Sequence, residues 1–183
     1  MEVRCPRCGR DFVRRVRREG LVEIVATAAC FHSFACQLCA LRFRAWQWSL
    51  RHTSQPIDRR QYERICVNFP MSFSADSGGG NGTTLDISMG GCGFKTEPPP
   101  APGAVVKLEL HATGLAHPLI VDAAVVRSVR SIYTGVEFLR LSPKEQYRLT
   151  QFVANTLTDR RLKDDAALQA GRLDEADPVP QMR

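Results

Sequence analysis

Residues 65–74 alternate between apolar and less apolar side chains, and this alternation restricts the fold more than any other feature of the sequence. The apolar positions are Ile65, Val67, Phe69, Met71 and Phe73. Successive side chains of a β-strand point to opposite faces, so the pattern predicts a strand with one buried face. Because Pro70 has no amide hydrogen, this strand is expected to lie at a sheet edge or to carry a bulge.

Further short β-segments follow along the chain. Residues 78–82, four of them glycine, are predicted to form a mobile turn before a short strand at 83–87. The later predicted strands are residues 92–96, 104–111, 119–129 and 135–139. Six short strands in series favour a closed barrel, since closure removes exposed sheet edges.

A helix is predicted after the last strand. Ser142 and Glu145 have the spacing of a capping box, with Pro143 at the first helical position. Leu149, Phe152, Val153 and Leu157 then recur at helical spacing, which predicts an apolar face packed on one mouth of the barrel. From residue 164 the chain becomes acidic and contains proline, so residues 164–183 are predicted to be disordered.

The N-terminal part carries two Cys-x-x-Cys pairs, Cys5/Cys8 and Cys36/Cys39, among seven cysteines. The odd count and the pairing favour a metal over disulfides, and four thiolates suit a closed, structural tetrahedral Zn²⁺ site. The segment resembles a zinc ribbon, although Ala40 stands where a knuckle glycine is usual. The alternative is a set of free or redox-active thiols, and Cys30 or His32 could substitute as a ligand.

The positive charge of the chain lies in its first third. Residues 1–60 contain 12 Arg against 5 Asp/Glu, for a net charge of +7, whereas the remainder carries −1. The arginines of residues 14–18 could contact nucleic-acid phosphates, or they could form a solvated hairpin face. No apolar run has the length of a membrane helix, and no signal peptide is evident, so a cytoplasmic protein is expected.

Two short motifs flank the first predicted barrel strand and the glycine turn. Arg60 and Arg64 form an Arg-x-x-x-Arg motif, and Asp86, Ser88 and Gly91 form an Asp-x-Ser-x-x-Gly motif. Guanidinium groups bind phosphates and the O6/N7 edge of guanine. A carboxylate can accept hydrogen bonds from the Watson–Crick edge of guanine, so the two motifs together suit a ligand with guanine bases and phosphates.

These motifs, with the sequence of residues 133–138 and the helix after it, resemble the PilZ domain, a small β-barrel that binds the bacterial second messenger cyclic di-GMP. The resemblance covers roughly residues 57–160. It implies that Arg60 and Arg64 clamp guanine and phosphate, with Arg59 as an auxiliary. It further implies that Asp86 and Ser88 bind a guanine and that Gly91 permits a close turn. The alternative for Asp86 and Ser88 is a strand-end turn with local hydrogen bonds.

Four regions follow from these observations. They are a zinc-ribbon-like module (1–49), a linker (50–58), a barrel with its C-terminal helix (59–163) and the acidic tail (164–183). The expected fold class is thus all-β dominated, a six-stranded PilZ-type barrel with a C-terminal helix and an N-terminal zinc ribbon. Cys66 and Cys92 have no catalytic partner at motif spacing, so no enzyme activity is expected.

Two functions remain open at this stage. The first is a cyclic di-GMP receptor and adaptor, in which the ligand draws the linker onto the barrel, reorients the zinc module and recruits a downstream protein. The second is a nucleic-acid-binding zinc ribbon with a regulatory or inert barrel.

Overall fold

The computed structural model describes residues 3–16, 31–46, 61–76 and 78–174. The N-terminal part contains a three-stranded antiparallel sheet formed by β1 (Val13–Arg15), β2 (Phe31–Cys36) and β3 (Arg42–Trp46), with β2 in the centre. The two Cys-x-x-Cys turns lie beside this sheet, and the whole unit is called the ribbon below. The predicted linker and the arginines Arg59 and Arg60 lie outside the described residues.

A closed six-stranded barrel follows the ribbon. Its strands are β4 (Ile65–Ala75), β5 (Gly78–Ser88), β6 (Gly91–Thr96), β7 (Val105–Leu110), β8 (Leu119–Arg130) and β9 (Tyr133–Arg140). The order around the barrel is β4-β5-β6-β9-β8-β7, and every described pairing is antiparallel. The predicted fold class, a six-stranded barrel with a C-terminal helix and an N-terminal cysteine module, is therefore confirmed.

The alternation along β4 places its apolar side chains in the barrel core. Ile65, Phe69 and Met71 are buried, whereas Cys66 and Pro70 between them are exposed. The pairing of β4 with β7 begins at Met71, and a register irregularity with β5 lies between Cys66 and Phe69. Pro70 is accommodated because it lies at the end of the β4–β7 pairing, where its carbonyl accepts from the His111 amide at 3.0 Å and only the amide hydrogen that proline lacks is missing.

The glycine-rich segment 78–82 is the clearest difference from the expected secondary structure. It is not a turn but the first half of β5, paired residue for residue with β4 from Ala75↔Gly78 to Met71↔Gly82. A Cβ atom at Gly79 would lie 2.7 Å from the Phe73 carbonyl oxygen, and one at Gly82 would lie 2.3 Å from that of Lys95. The glycines thus permit close backbone approach between neighbouring strands.

The C-terminal helix α1 (Pro143–Asp174) packs its predicted apolar face on the barrel. The Phe152 ring meets Phe69 of β4 edge-on, with 5.9 Å between centroids. The Glu145 amide donates to Ser142 Oγ at 3.3 Å, as the capping box requires. The Glu145 carboxylate does not close the box; it accepts from the Ile120 amide of β8 at 3.0 Å and from Arg148.

Helix α1 also continues further than its sequence pattern indicates. Residues 164–174, predicted to belong to a disordered tail, lie in the helix, whereas residues 175–183 lie outside the described part. Within the described part of the chain, no helix has the length and apolar composition needed to cross a membrane.

The ribbon packs against the segment before β4 and against α1. Gln37, a buried residue of the second Cys-x-x-Cys turn, accepts a hydrogen bond from the Glu63 amide at 2.5 Å. Arg161 of α1 forms an ion pair with Asp11 at 2.6 Å and lies over the Phe12 ring, 4.5 Å from its centroid. Arg160 pairs with Glu63 at 3.1 Å, so one helix segment contacts both the ribbon and the entry to the barrel.

Candidate functional site

Three side chains meet on the outside of the barrel, one from the residue before β4, one from β5 and one from β9. Arg64 Nη1 donates to Asp86 Oδ1 and to the Tyr133 hydroxyl, each at 2.9 Å. The Tyr133 hydroxyl in turn donates to Asp86 Oδ2, also at 2.9 Å. The three groups form a closed hydrogen-bonded triangle, called the Arg–Asp–Tyr cluster below. Its ion pair is partly buried, with side-chain exposures of 27% for Arg64 and 17% for Asp86.

The strand register explains why these residues meet. Arg64 immediately precedes β4, whose Cys66 pairs with Asp86 of β5, and Asp86 pairs with Gly93 of β6. Ile87, the next residue in β5, points into the barrel core, so Asp86 faces outwards. Tyr133 begins β9, and its ring returns across β6 towards Asp86. A Cβ atom at Gly93 would lie 2.1 Å from the Tyr133 hydroxyl oxygen.

The cluster has a defined protonation state at neutral pH. Burial, with the hydrogen bond to Asp86, raises the pKa of Tyr133, so its hydroxyl remains a donor. Burial, reinforced by the Asp86 carboxylate, also raises the pKa of the fully buried Cys92 thiol, which makes this cysteine a poor nucleophile. The Nη2 and Nε donors of Arg64 have no acceptor among the described residues. The cluster therefore offers a cationic donor and a carboxylate acceptor at one surface position.

The structure assigns local roles to the other two residues of the Asp-x-Ser-x-x-Gly motif. Ser88 is buried, and its hydroxyl donates to the Gly91 carbonyl at 3.1 Å, which closes the turn between β5 and β6. A Cβ atom at Gly91 would lie 2.2 Å from the Val136 carbonyl oxygen of β9. Of the motif arginines, Arg64 reaches the cluster, and Arg59 and Arg60 lie outside the described residues.

Tyr62 connects this turn with the cysteines. A Cβ atom at Gly90 would lie 2.9 Å from the Tyr62 ring, which therefore packs directly on the turn. Burial, with smaller electrostatic contributions from Cys39 and Cys36, raises the pKa of Tyr62. The same ring thus lies close to both the Asp-x-Ser-x-x-Gly turn and the second Cys-x-x-Cys turn. Sequence analysis assigned no role to this residue.

The four predicted metal ligands converge. The sulfur atoms of Cys5, Cys8, Cys36 and Cys39 all lie within 4.8 Å of one another. The Cys5–Cys39 and Cys8–Cys36 sulfur pairs are 3.5 and 3.6 Å apart. Four sulfurs on a Zn²⁺ ion at about 2.3 Å are separated by about 3.8 Å, so the donor set and its spacing fit this metal.

The backbone around the cysteines also suits thiolates. Although burial opposes it, hydrogen bonds from the Cys8 and Arg7 amides lower the pKa of Cys5 to about 7. Burial raises the pKa of Cys36 to about 12 despite two amide donors. The partly buried cluster thus favours a thiolate at Cys5 but disfavours thiolates at Cys36 and Cys39, and a divalent cation would supply the compensating charge.

Ala40 adopts the backbone conformation that glycine usually has in a Cys-x-x-Cys turn. Ala40 has a φ of 58° and Gly9, the corresponding residue of the first Cys-x-x-Cys turn, has a φ of 69°. Both turns have the same form in spite of the sequence difference. His32, an alternative ligand from sequence, contacts Arg15 Nη2 through its Nδ1 atom and is not part of the sulfur cluster. Cys30 lies outside the described residues.

Sequence reasoning missed Tyr133 as a member of the site. Residue 133 belongs to the segment 133–138 that resembles the PilZ domain but lies before the predicted strand 135–139, and a single tyrosine there carries no signal of its own. Two mid-strand glycines, Gly93 and Gly135, were the available hint, because they pair with each other beneath the ring. Glycine is unfavourable in a strand unless another group approaches closely.

A small closed antiparallel barrel with an arginine–aspartate pair on its outer face, capped by a helix, defines the class of protein. The model of the PilZ domain matches residues 58–155, more than half of the 183 residues. The chain therefore belongs to the PilZ domain family. A search of curated proteins finds no match.

Solved structures with a similar fold include members of this family. The "PilZ domain with c-di-GMP of YcgR from Escherichia coli" is 20% identical with a TM-score of 0.49, covering 59% of this chain and 98% of the other. The "Structure of Bacillus subtilis Inhibitor of motility (MotI/DgrA)" is 19% identical with a TM-score of 0.49, covering 72% and 68%. The "Structure of K. pneumonia MrkH-c-di-GMP complex" is 15% identical with a TM-score of 0.48, covering 73% of each.

Proposed function

We propose that this protein is a receptor for cyclic di-GMP. The observation that carries the proposal is the Arg–Asp–Tyr cluster, in which Arg64 of the first motif and Asp86 of the second meet at 2.9 Å on the barrel surface. Family membership supports it, and similar folds occur in the PilZ domain of YcgR with c-di-GMP and in the MrkH–c-di-GMP complex. A binding role rather than a catalytic one follows, and a cytoplasmic location suits a protein with reduced thiols.

The ligand chemistry fits both halves of the cluster. The Nη2 and Nε donors of Arg64 can bind a phosphate or the O6/N7 edge of a guanine bidentately. Asp86 can accept from a guanine N1–H and N2–H₂, because a carboxylate has about four lone-pair sites and the cluster occupies two of them. Arg59 and Arg60 are proposed as further cationic contacts. Ser88 and Gly91 are proposed to shape the turn that supports the base.

Isothermal titration calorimetry with cyclic di-GMP tests the proposal. We expect the unaltered protein to bind, and we expect Arg64→Ala and Asp86→Ala each to weaken binding by about 1–3 kcal/mol. Arg140→Ala is the matched control, because Arg140 is exposed at the far end of β9, about 23 Å along the strand from Tyr133. Absence of binding, or equal affinity for cyclic di-AMP, would contradict the guanine assignment.

We propose that the four cysteines hold one structural zinc ion. The four sulfurs fit a closed tetrahedral site, which leaves no position for a substrate. Metal analysis of freshly purified, reduced protein should give one equivalent of zinc, and Cys36→Ser should remove it. Cys66→Ser is the control, because Cys66 is an exposed residue of β4 and does not belong to the sulfur cluster. Protein that is isolated without metal would refute the site.

We further propose that the ribbon and the ligand site are coupled, so that the protein acts as an adaptor. The supporting contacts are the Glu63 amide bond to Gln37 and the packing of Tyr62 on Gly90. Glu63 and Tyr62 lie one and two positions before Arg64, so a ligand that moves Arg64 would act on the ribbon through them. A downstream protein partner would then recognise the changed ribbon position. Cyclic di-GMP can favour this ribbon position only to the extent that it binds the protein more tightly in this position than in the other.

Hydrogen exchange with and without cyclic di-GMP tests this coupling. Saturating ligand should slow exchange across residues 50–64, and the Glu63 amide should respond because it contacts Gln37 directly. Gln37→Ala should reduce that response while the protein keeps its metal and its barrel. Identical exchange in both states of a saturated protein would leave the barrel as a passive binder.

Nucleic-acid binding by the ribbon is the second candidate, and one observation favours it. By strand register, Arg14, Arg42, Arg44 and Trp46 lie on one face of the ribbon sheet, and Trp46 is 60% exposed. Arginines that contact phosphate beside an aromatic platform are typical of single-strand binding. Fluorescence anisotropy with labelled single-stranded DNA should then show binding that Arg42→Ala weakens and salt suppresses.

A further inference from the structure

We propose that Tyr133 is a positioning residue of the nucleotide site, which holds the Asp86 carboxylate ready for a guanine edge, and that Gly93 is a glycine because Tyr133 must cross it. This inference rests on the proposed function and adds a residue that neither motif contains.

The argument begins with the orientation of Asp86. Each of its carboxylate oxygens receives one donor, Arg64 Nη1 on Oδ1 and the Tyr133 hydroxyl on Oδ2. Two donors on different oxygens fix the plane of the carboxylate, and the remaining lone pairs point away from the protein donors. A base edge therefore meets an acceptor whose orientation has been set before binding, which reduces the entropy lost on association.

The second step concerns what happens to Asp86 when Arg64 contacts a ligand. A guanidinium that turns towards a phosphate weakens its bond to Asp86, whose side chain is only 17% exposed. A partly buried carboxylate without a donor is costly. The Tyr133 hydroxyl then remains as the donor that keeps Asp86 in place, so Arg64 can move without losing the acceptor.

The third step concerns Gly93, the glycine beneath the tyrosine side chain. A Cβ atom at Gly93 would lie 2.1 Å from the Tyr133 hydroxyl oxygen and 2.6 Å from Asp86 Oδ2. Both atoms are the ends of side chains, so a methyl group there would displace the cluster rather than break the strand. Gly93 therefore leaves room for the path of Tyr133 across β6. Gly135, which pairs with Gly93, is less directly involved, because a Cβ atom there would be in ordinary contact with the Tyr133 ring at 3.8 Å and would approach Ser128 Oγ at 2.7 Å.

Calorimetry on single and double variants of the full chain provides the test. Tyr133→Phe keeps the ring and removes the hydroxyl, so we expect about tenfold weaker cyclic di-GMP binding with an unchanged melting temperature. Gly93→Ala should weaken binding further, because it displaces Tyr133 and Asp86 together. Tyr147→Phe is the matched control, since this helix tyrosine is 66% exposed.

A double-mutant cycle distinguishes positioning from direct contact. If Tyr133 acts through Asp86, Tyr133→Phe should have no further effect in an Asp86→Ala background. Additive losses would mean that Tyr133 acts on the ligand independently, and they would overturn the inference. If Tyr133→Phe and the unaltered protein bound cyclic di-GMP with equal affinity, this inference would be overturned and the proposed function would not be affected. No binding by the unaltered protein would instead overturn the proposed function, and the inference with it.

Discussion

Ala40 adopts a left-handed backbone conformation that glycine adopts without strain. Its φ of 58° costs an alanine about 1–2 kcal/mol of backbone strain. A glycine would remove this strain, but part of the gain would be offset because glycine has more conformational freedom in the unfolded chain. We predict that Ala40→Gly stabilises the ribbon by about 0.5–1 kcal/mol. Trp46 is the last residue of β3 and Trp48 follows it by two positions in the sequence, so tryptophan fluorescence during chelator titration should report ribbon unfolding.

The control for this prediction is the same substitution in an ordinary strand position. Ala45 lies in β3 without a positive φ, so Ala45→Gly should destabilise the ribbon by about 0.5–1 kcal/mol. Opposite signs at the two positions would locate the strain in the turn. Destabilisation at both would show that residue 40 does not need a glycine-like conformation.

Residue types and spacing singled out the four cysteines, Arg64 and Asp86 as candidates, and the structure places the four sulfurs together and Arg64 beside Asp86. Residue types and spacing did not identify Tyr133, whose position depends on how β9 lies beside β6. Nor did they decide what Ser88 does. A serine at a strand end can face a ligand or a turn, and its hydroxyl donates to Gly91 within the turn.

The acidic start of α1 makes the stability of the protein depend on pH. Although burial opposes ionisation of Glu145, hydrogen bonds from the Ile120 amide and Arg148 outweigh it and lower the pKa below its ordinary value of 4.5. The ionised carboxylate therefore stabilises the fold fully above that value. This stabilisation is lost as the pH falls through the lower pKa of the folded state.

We predict that Glu145→Gln costs about 1.5–3 kcal/mol at neutral pH and less at an acid pH below the ordinary pKa of 4.5. Urea unfolding followed by far-ultraviolet circular dichroism at both pH values measures the difference. The matched control is Glu137→Gln, since the Glu137–Arg127 pair is exposed and should contribute about 0–1 kcal/mol. A penalty for Glu145→Gln that persists unchanged in acid would contradict the role of its charge.

Element boundaries were predictable where one face of a strand is buried and not where the strand has no side chains. The alternation of apolar residues predicted where β4 begins and which of its side chains point into the core. The glycines at 78–82 have no side chains that could show a period, so a turn was the natural interpretation. Only pairing with β4 and the nearness of Lys95 reveal that they are strand residues.

At the scale of the whole molecule, the ribbon is packed against the barrel entry and α1 rather than separate from them. We predict that chelating the metal unfolds the ribbon and leaves the barrel intact, because no cysteine of the cluster lies in a barrel strand, although Cys5 and Cys36 pack in one core cluster with barrel residues. Exchange of the Glu63 amide should rise at least about tenfold, since its acceptor Gln37 belongs to the ribbon.

Hydrogen exchange followed by mass spectrometry, with and without chelator, measures this effect. Peptides from β8 serve as the internal control, because this strand lies between β7 and β9. Slow exchange at Glu63 after complete metal removal would mean that the contact with Gln37 does not depend on the folded ribbon.

The architecture of the whole chain was largely predictable, and the arrangement of its parts was not. Strand number, closure and the helix follow from local periodicity, which every segment carries by itself. The contacts of Arg161 with Asp11 and Phe12 join residues 150 and 149 positions apart. No local pattern in either segment indicates such a partner.

These contacts have a consequence for the order in which the protein assembles during synthesis. Cys5 to Cys39 leave the ribosome before the barrel strands, so the ribbon could fold around the proposed metal while the barrel is still being translated. Arg161, its contact in α1, emerges more than a hundred residues later, after every barrel strand. The ribbon can therefore fold, and Gln37 can meet Glu63, before the contacts of α1 with Asp11 and Phe12 exist, and a nascent chain without α1 would lack those contacts.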